Sequence, residues 1–324
     1  MDYFTCKIYG FFLVFEWYDQ MSIRIIMIKQ TSHLIPLSNG DKVHLRQIVS
    51  DPNGPVIFLM HGAVENGRIF YTHSNKGLAP FLANAGFNCF VADLRGRGQS
   101  EPKISKHSGT GQRDSIVEEI PAMLDFITSF TNQDVSYFCA HSWGGVLLNS
   151  MLARFPIYRK HLKACVYFAS KRTIYNKHPS KYLQANLVWY AVSPLLIKLY
   201  GYLPAKRFGF GSDDETRLSH KEGVQWVKHN PWICPFDGFD YGKTLSEITL
   251  PPTLHVAGVN DKALAQKIDI EAFMRESGKG KQSIKMYGKN YQHKIDYDHI
   301  NILTAPEAID ETFADTLAWL RRYT

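Results

Sequence analysis

Five residues constrain this chain more than any others: Ala140-His141-Ser142-Trp143-Gly144, a serine with a small residue two positions to either side. Before it, Val135-Ser136-Tyr137-Phe138-Cys139 is an apolar and aromatic stretch of strand length. After it, the residues from Gly145 to Arg154 read as a helix that stops near Pro156. A turn this tight between strand and helix forces its central residue into a strained backbone conformation. It also brings the two elements too close for large flanking side chains. The pattern is that of a nucleophile elbow, which presents a serine hydroxyl above the edge of a sheet. Glycine is usual at the first small position, and Ala140 is a variant small enough to serve there.

The other parts that such a serine needs follow in a fixed order. Pro55-Val56-Ile57-Phe58-Leu59-Met60 is a near-continuous apolar run, as expected of a strand buried on both faces. It ends in His61-Gly62-Ala63-Val64, which predicts a loop of backbone N–H donors. The oxyanion of a tetrahedral intermediate would receive those of Ala63 and Trp143, with Gly62 and His61 in support and His61 holding the loop by hydrogen bonds. Cys89–Ala92 then leads into Asp93-Leu94-Arg95-Gly96-Arg97-Gly98-Gln99-Ser100. That segment lacks the Gly-Lys-Ser/Thr ending of a phosphate loop, so it reads as a tight turn whose charges brace the floor of the site.

An acid and then a histidine should come after the serine. Pro252–Ala257 is a buried-strand candidate followed by Gly258-Val259-Asn260-Asp261, so Asp261 falls just past a strand's C-terminal end, where such sheets carry their sites. Asp237, Asp240 and Asp269 compete in the same window, and placement favours Asp261. Ser283–Tyr287 reads as the last strand, followed by a polar loop and Asp298-His299. His299 rather than His293 abuts the final helix, and His293 is expected to be a solvated loop residue. His141 is expected to point away and pack. Thr304 and Glu307 have the spacing of a capping box.

With these residues in place the chain resembles an α/β-hydrolase-fold serine hydrolase over about residues 32 to 324. It is similar to bacterial α/β hydrolases of unassigned substrate through Gly201-Tyr202-Leu203-Pro204 and Phe208-Gly209-Phe210-Gly211. It is more loosely similar to acid lipases of the gastric type through the segments Leu78–Phe87 and Ile120–Ile127. The resemblance implies an α/β fold, a mostly parallel central sheet flanked by helices with a helical cap insertion, and the triad Ser142, Asp261 and His299. It does not imply a substrate.

The expected organisation is an N-terminal extension over 1–30, a core over 31–170 and 248–324, and a cap over 171–247. About 80 residues separate the strand Ala164–Ala169 from the next near Pro252, far beyond ordinary loop length. That stretch holds Tyr182, Trp189, Tyr190, Trp226 and Trp232. Asn39-Gly40 between His33–Leu37 and Lys42–Ile48 signals a hairpin. Helices are expected over Asn75–Ala85, over Ser115–Phe130 with a bend or restart at Pro121, and over Pro306–Tyr323 with Ile309, Phe313, Leu317 and Leu320 on one face. In the N-terminal stretch, Ile8–Phe15 is apolar but too short to span a bilayer. Met21 and Met27 leave a later start open.

Of five cysteines, Cys89, Cys139 and Cys165 fall in expected central strands and no Cys-x-x-Cys pair occurs, so buried free thiols in a reducing, cytoplasmic compartment are expected, with no zinc site. The net charge of +7 is scattered, without a recognised nucleic-acid module, and reads first as a solvated surface; a mildly basic surface also suits acidic substrates or anionic lipid, with transient contact with a membrane surface. The expected activity is cleavage of a small-molecule or lipid ester with an apolar acyl chain, without cofactor or metal. An acyltransferase, a thioesterase and a non-catalytic binding protein are the alternatives. Serine at the elbow weighs against epoxide hydrolase chemistry, which needs a carboxylate nucleophile.

Overall fold

The computed structural model describes residues 27–228 and 231–324, so the stretch 1–26, with Ile8–Phe15 and Cys6, lies outside the described residues. Eight strands form one sheet: β1 (Lys29–Pro36), β2 (Lys42–Val49), β3 (Val56–Met60), β4 (Asn88–Asp93), β5 (Tyr137–His141), β6 (Ala164–Phe168), β7 (Thr253–Gly258) and β8 (Gln282–Tyr287). The spatial order is β1-β2-β4-β3-β5-β6-β7-β8. The hairpin β1–β2 and the pair β2–β4 are antiparallel, and every later pair is parallel. This is an α/β hydrolase fold. β1 begins at Lys29, inside the stretch set apart as an extension.

Parallel strands need helical crossovers, which cover both faces and so require strands that are apolar on both. β3, β5 and β6 are buried throughout. On one face, Met123 and Leu124 of the helix Ile120–Thr131 and Val146, Leu147 and Met151 of Trp143–Arg154 pack against Phe58 and Phe138. On the other, Leu78 and Leu82 of Leu78–Asn84 and Phe313 and Leu320 of Thr312–Arg321 pack against Ile57 and Val166. Cys89, Cys139 and Cys165 are buried free thiols within this sheet.

Local differences from expectation have physical causes. The helix changes winding at Pro121: a π turn over Ser115–Glu119 gives way to the α-helical Ile120–Thr131 with Pro121 in its first turn, and the wider winding accommodates a ring that has no N–H to donate. The capping box at Thr304 does not form. Thr304 closes a short helical turn, Asn301–Thr304, and its hydroxyl donates back to the Ile300 carbonyl at 3.2 Å. Ala305 is extended, as a residue before proline prefers, and the chain resumes as a 3₁₀ turn Pro306–Ile309 and then the helix Thr312–Arg321. Ile309 is therefore exposed, while Phe313 and Leu320 are buried.

Between β6 and β7 the long insertion divides in two. A π-wound stretch, Tyr182–Val192, runs into an α-helix, Ser193–Tyr200, and the small cluster Leu196, Ile197, Leu203 and Ala205 packs apart from the main core. Further on, Trp226 and Trp232 join the main core, with Trp226 and Tyr241 5.3 Å apart between ring centroids. The strand-to-helix approach is closest at Gly144, where a Cβ would lie 2.5 Å from the Met60 carbonyl oxygen and 2.6 Å from that of His61. Gly144→Val should lower stability by about 3 kcal/mol or prevent folding, because both clashes are with backbone. Chemical denaturation followed by circular dichroism measures it, and an unchanged midpoint would contradict the close approach.

Candidate active site

The site is built on the turn after β5. Ser142 has φ 50 and ψ −118, a region that side chains rarely occupy, and its N–H is tied to the Phe168 carbonyl at 2.8 Å. β5 lies between β3 and β6, so the loops after those strands flank the serine on its two sides. Trp143 opens the following helix. Its N–H is among the first in a helix, which lack an intrahelical acceptor, and it sits at the positive end of the helix dipole.

Ser142, His299 and Asp261 are brought together from three separate loops. The His299 ring accepts the Ser142 hydroxyl at Nε2, 2.9 Å away, and donates from Nδ1 to Asp261 Oδ2 at 2.5 Å. The other oxygen, Asp261 Oδ1, accepts the N–H groups of Leu264 and Ala265 at 3.1 and 3.0 Å. Burial alone would raise the Asp261 carboxyl, but His299, Lys171 and the Ala265 N–H outweigh it and hold it at about 2. Burial lowers the pKa of His299 against the opposing pull of Asp261, so the ring is a neutral acceptor at pH 7.

The competing residues are occupied elsewhere. Asp269 caps its own helix and accepts the N–H groups of Tyr175 and Asn176; Asp240 caps the helix Tyr241–Glu247; Asp237 pairs with Arg154 and Arg113. His293 is not simply solvated, since it is half-buried against the Tyr287 ring at 4.5 Å.

Sequence reasoning missed three residues here. His141 does more than pack: Nδ1 donates to Glu65 Oε2 at 2.8 Å and Nε2 donates to the backbone carbonyl of His299 at 2.8 Å. Two donors make it an imidazolium, and its pKa is raised because Glu65 and the carbonyl overcome burial. Glu65, opposed by burial, is held at about 2 chiefly by His141, and it also accepts the Gly62 N–H at 2.9 Å. One buried ion pair thus joins the Gly62 loop to the His299 loop. The third residue is Lys171, whose Nζ donates to Ser142 Oγ at 3.2 Å. Only the charge and acidity of these residues were visible in the sequence; their partners lie far away along the chain.

His61 is fully buried, and its Nε2 accepts the Leu94 N–H at 3.2 Å, joining the β3 and β4 loops. On the β4 loop, Arg97 forms a buried pair with Glu215 of the insertion, whose Oε2 accepts the Val64 N–H at 3.3 Å. Asp213 N–H donates to the Val64 carbonyl at 3.0 Å. Above Ser142 opens a cavity of about 1120 Å³, lined by Ala63, Trp143 and His299 from the core and by Val188, Trp189 and Phe210 from the insertion. Among the described residues no group of three or more His, Cys, Asp or Glu could hold a metal ion, and no helix is long and apolar enough to cross a membrane.

A family model described as the alpha/beta hydrolase fold matches residues 55–306. The chain is 29% identical over 118 residues to epoxide hydrolase 3 of Siraitia grosvenorii, covering 36% of this chain and 33% of that protein. It is 27% identical over 135 residues to mouse gastric triacylglycerol lipase, covering 39% of this chain and 34% of the lipase. The chain thus spans about a third of the length of the curated relatives it matches. Among solved structures it is similar to an esterase of Pyrococcus furiosus, with a TM-score of 0.59 and 14% identity over 96% of this chain and 95% of that one, a likeness of fold.

Glu65→Gln leaves His141 without its counter-ion and should cost about 3 kcal/mol at neutral pH, as for a buried pair broken at one end. The wild-type His141 contribution is full below the unfolded imidazole value of about 6.5 and is lost as pH rises through the raised folded value. Thermal unfolding between pH 5.5 and 9 should therefore show a decline in wild type that is blunted in the variant. Equal melting temperatures at neutral pH would refute the pairing.

Proposed function

Because the chain belongs to the α/β hydrolase fold family, we propose that it is a carboxylic ester hydrolase working through Ser142, His299 and Asp261. The observation that carries this reading is the unbroken hydrogen-bonded chain from the Ser142 hydroxyl through His299 to the Asp261 carboxylate. In the reaction Ser142 Oγ bonds to the ester carbonyl carbon as its proton passes to His299 Nε2. The N–H groups of Ala63 and Trp143 take the oxyanion. Collapse breaks the bond to the leaving oxygen, which departs as an alcohol with the proton from His299. Water, deprotonated by the same ring, then releases the acid and restores the serine. Asp261 stays ionised and holds the imidazolium in orientation.

The cavity walls argue for an apolar acyl group, since Val188, Trp189 and Phe210 line the cavity that Ser142 also lines. A serine nucleophile forms an acyl-enzyme, unlike the carboxylate that epoxide opening requires. The segment 171–247 is then the cap, and its two halves differ in attachment. Asp213 and Glu215 pin one half to the loops after β3 and β4, while Leu187, Leu195 and Leu199 leave the Tyr182–Tyr200 half with exposed apolar side chains. Gating falls to that second half.

A fluorophosphonate probe should label wild type and not Ser142→Ala; folded wild type that stays unlabelled would defeat the mechanism. Chain length gives a second measurement. Specificity should rise by up to fourfold per methylene, from about 0.8 kcal/mol each, until the cavity fills. A flat kcat/KM from acetyl to octanoyl esters would count against an acyl pocket. The pH profile is the third. kcat/KM should rise with pH as His299 loses its proton, with a midpoint below the ordinary imidazole value of about 6.5. A midpoint above that value would contradict a base whose burial outweighs its carboxylate.

A further inference from the structure

The loop after β6 carries Ala169, which has a φ of 49, then Ser170 and Lys171. Lys171 is 7% exposed, yet it lines the cavity and reaches Ser142 Oγ at 3.2 Å. Among the described residues no carboxylate lies within ion-pair reach of its ammonium. Asp261, Asp269 and Glu65 act on it only through space. Those three are themselves satisfied, by His299, by backbone N–H groups and by His141. Burying an ammonium without a paired anion is costly, and burial accordingly lowers its pKa. Three donors on that nitrogen have one recorded protein acceptor, Ser142 Oγ.

Position separates Lys171 from the oxyanion donors. Ala63 stands on the β3 side of β5, and Lys171 follows β6 on the other side. A cation on that flank meets a substituent of the substrate rather than the carbonyl oxygen. A group hydrogen-bonded to Nζ lies within roughly 6 Å of the attacked carbon, given ordinary hydrogen-bond lengths. That span is about four bonds from the attacked carbon, given ordinary bond lengths.

We propose that Lys171 is a substrate-binding residue that takes a carboxylate carried within a few bonds of the scissile ester, so that the preferred substrate is an anionic ester. This deepens the ester-hydrolase reading and rests on it. The apolar walls hold the hydrocarbon part, and the floor beside Ser142 reads the charge. The carboxylate can stand on the acyl side or on the alcohol side, and both sides border the serine.

The test compares kcat/KM for four esters in two pairs: the mono-p-nitrophenyl ester of glutaric acid, the O-butyryl ester of glycolic acid, and the uncharged counterpart of each at equal length. Wild type should prefer the charged member of at least one pair by roughly ten- to hundredfold, as expected of a charge-assisted hydrogen bond out of water. In Lys171→Met that ratio should collapse to about one, and Lys171→Arg should restore part of it. The pair that shows the effect identifies the side that carries the carboxylate. A wild-type ratio of one or less for both pairs overturns the proposal. So does a Lys171→Met variant that lowers charged and uncharged esters by the same factor, since that describes a group acting on Ser142 alone. Fluorophosphonate labelling reports whether the variants are folded around the serine. If wild type neither cleaves esters nor takes the label, the ester-hydrolase reading fails by itself. Glutarate binding by calorimetry then decides: binding to wild type lost in Lys171→Met supports the anion site, and its absence from wild type overturns it.

Discussion

Everything at this site depends on one residue held in a backbone conformation that its side chain resists. Ser142 sits at positive φ because β5 must turn into its helix within a single residue, and the turn is held by its N–H bond to Phe168 and by the approach of Gly144 to the Met60 and His61 carbonyls. The strain is local, and the compensation is distributed through a sheet buried on both faces. Because β3 and β6 flank β5, the same geometry brings an N–H-bearing loop to one side of the hydroxyl and a lysine to the other.

Around that serine the charges alternate. Glu65 and His141 form a buried pair, Asp261 is ionised against a neutral His299, and Lys171 has no contacting carboxylate among the described residues. Neutral His299 beside ionised Asp261 is the state a general base requires. The ion pair behind them fixes the backbone that carries the ring. The apolar walls of the cavity come from elsewhere, largely from the insertion, so that the chemical floor and the hydrophobic enclosure are supplied by different parts of the chain.

The fold was legible because its signals are local. Buried parallel strands must be continuous apolar runs, and Val56–Met60 and Ala164–Phe168 are such runs. Asn39-Gly40 marked the β1–β2 turn for the same reason. Ser142, Asp261 and His299 could be picked out by position alone, each just after a strand or before the final helices. Lys171, Glu65 and His141 could not. Each looks like an ordinary polar residue until the sheet order sets it beside partners that are 29, 76 and 158 positions away in sequence. The Thr304 spacing misled because Pro306 holds Ala305 extended, and a helix cannot cross that residue. Pro121 marked the place where π winding gives way to an α-helix, since a proline is tolerated in a helix's first turn.

His141 and Ser142 are adjacent, and both hold residue 299: one grips its carbonyl, the other meets its ring. Residue 299 is therefore moored at two points to the very turn that carries Ser142. Drift of the surrounding loop is then uncoupled from register at the reacting atoms. The exposed positions between β8 and His299, such as Lys289, Tyr291 and Lys294, lie outside that mooring and can shift without carrying the ring with them, like slack in a rope made fast at its working end.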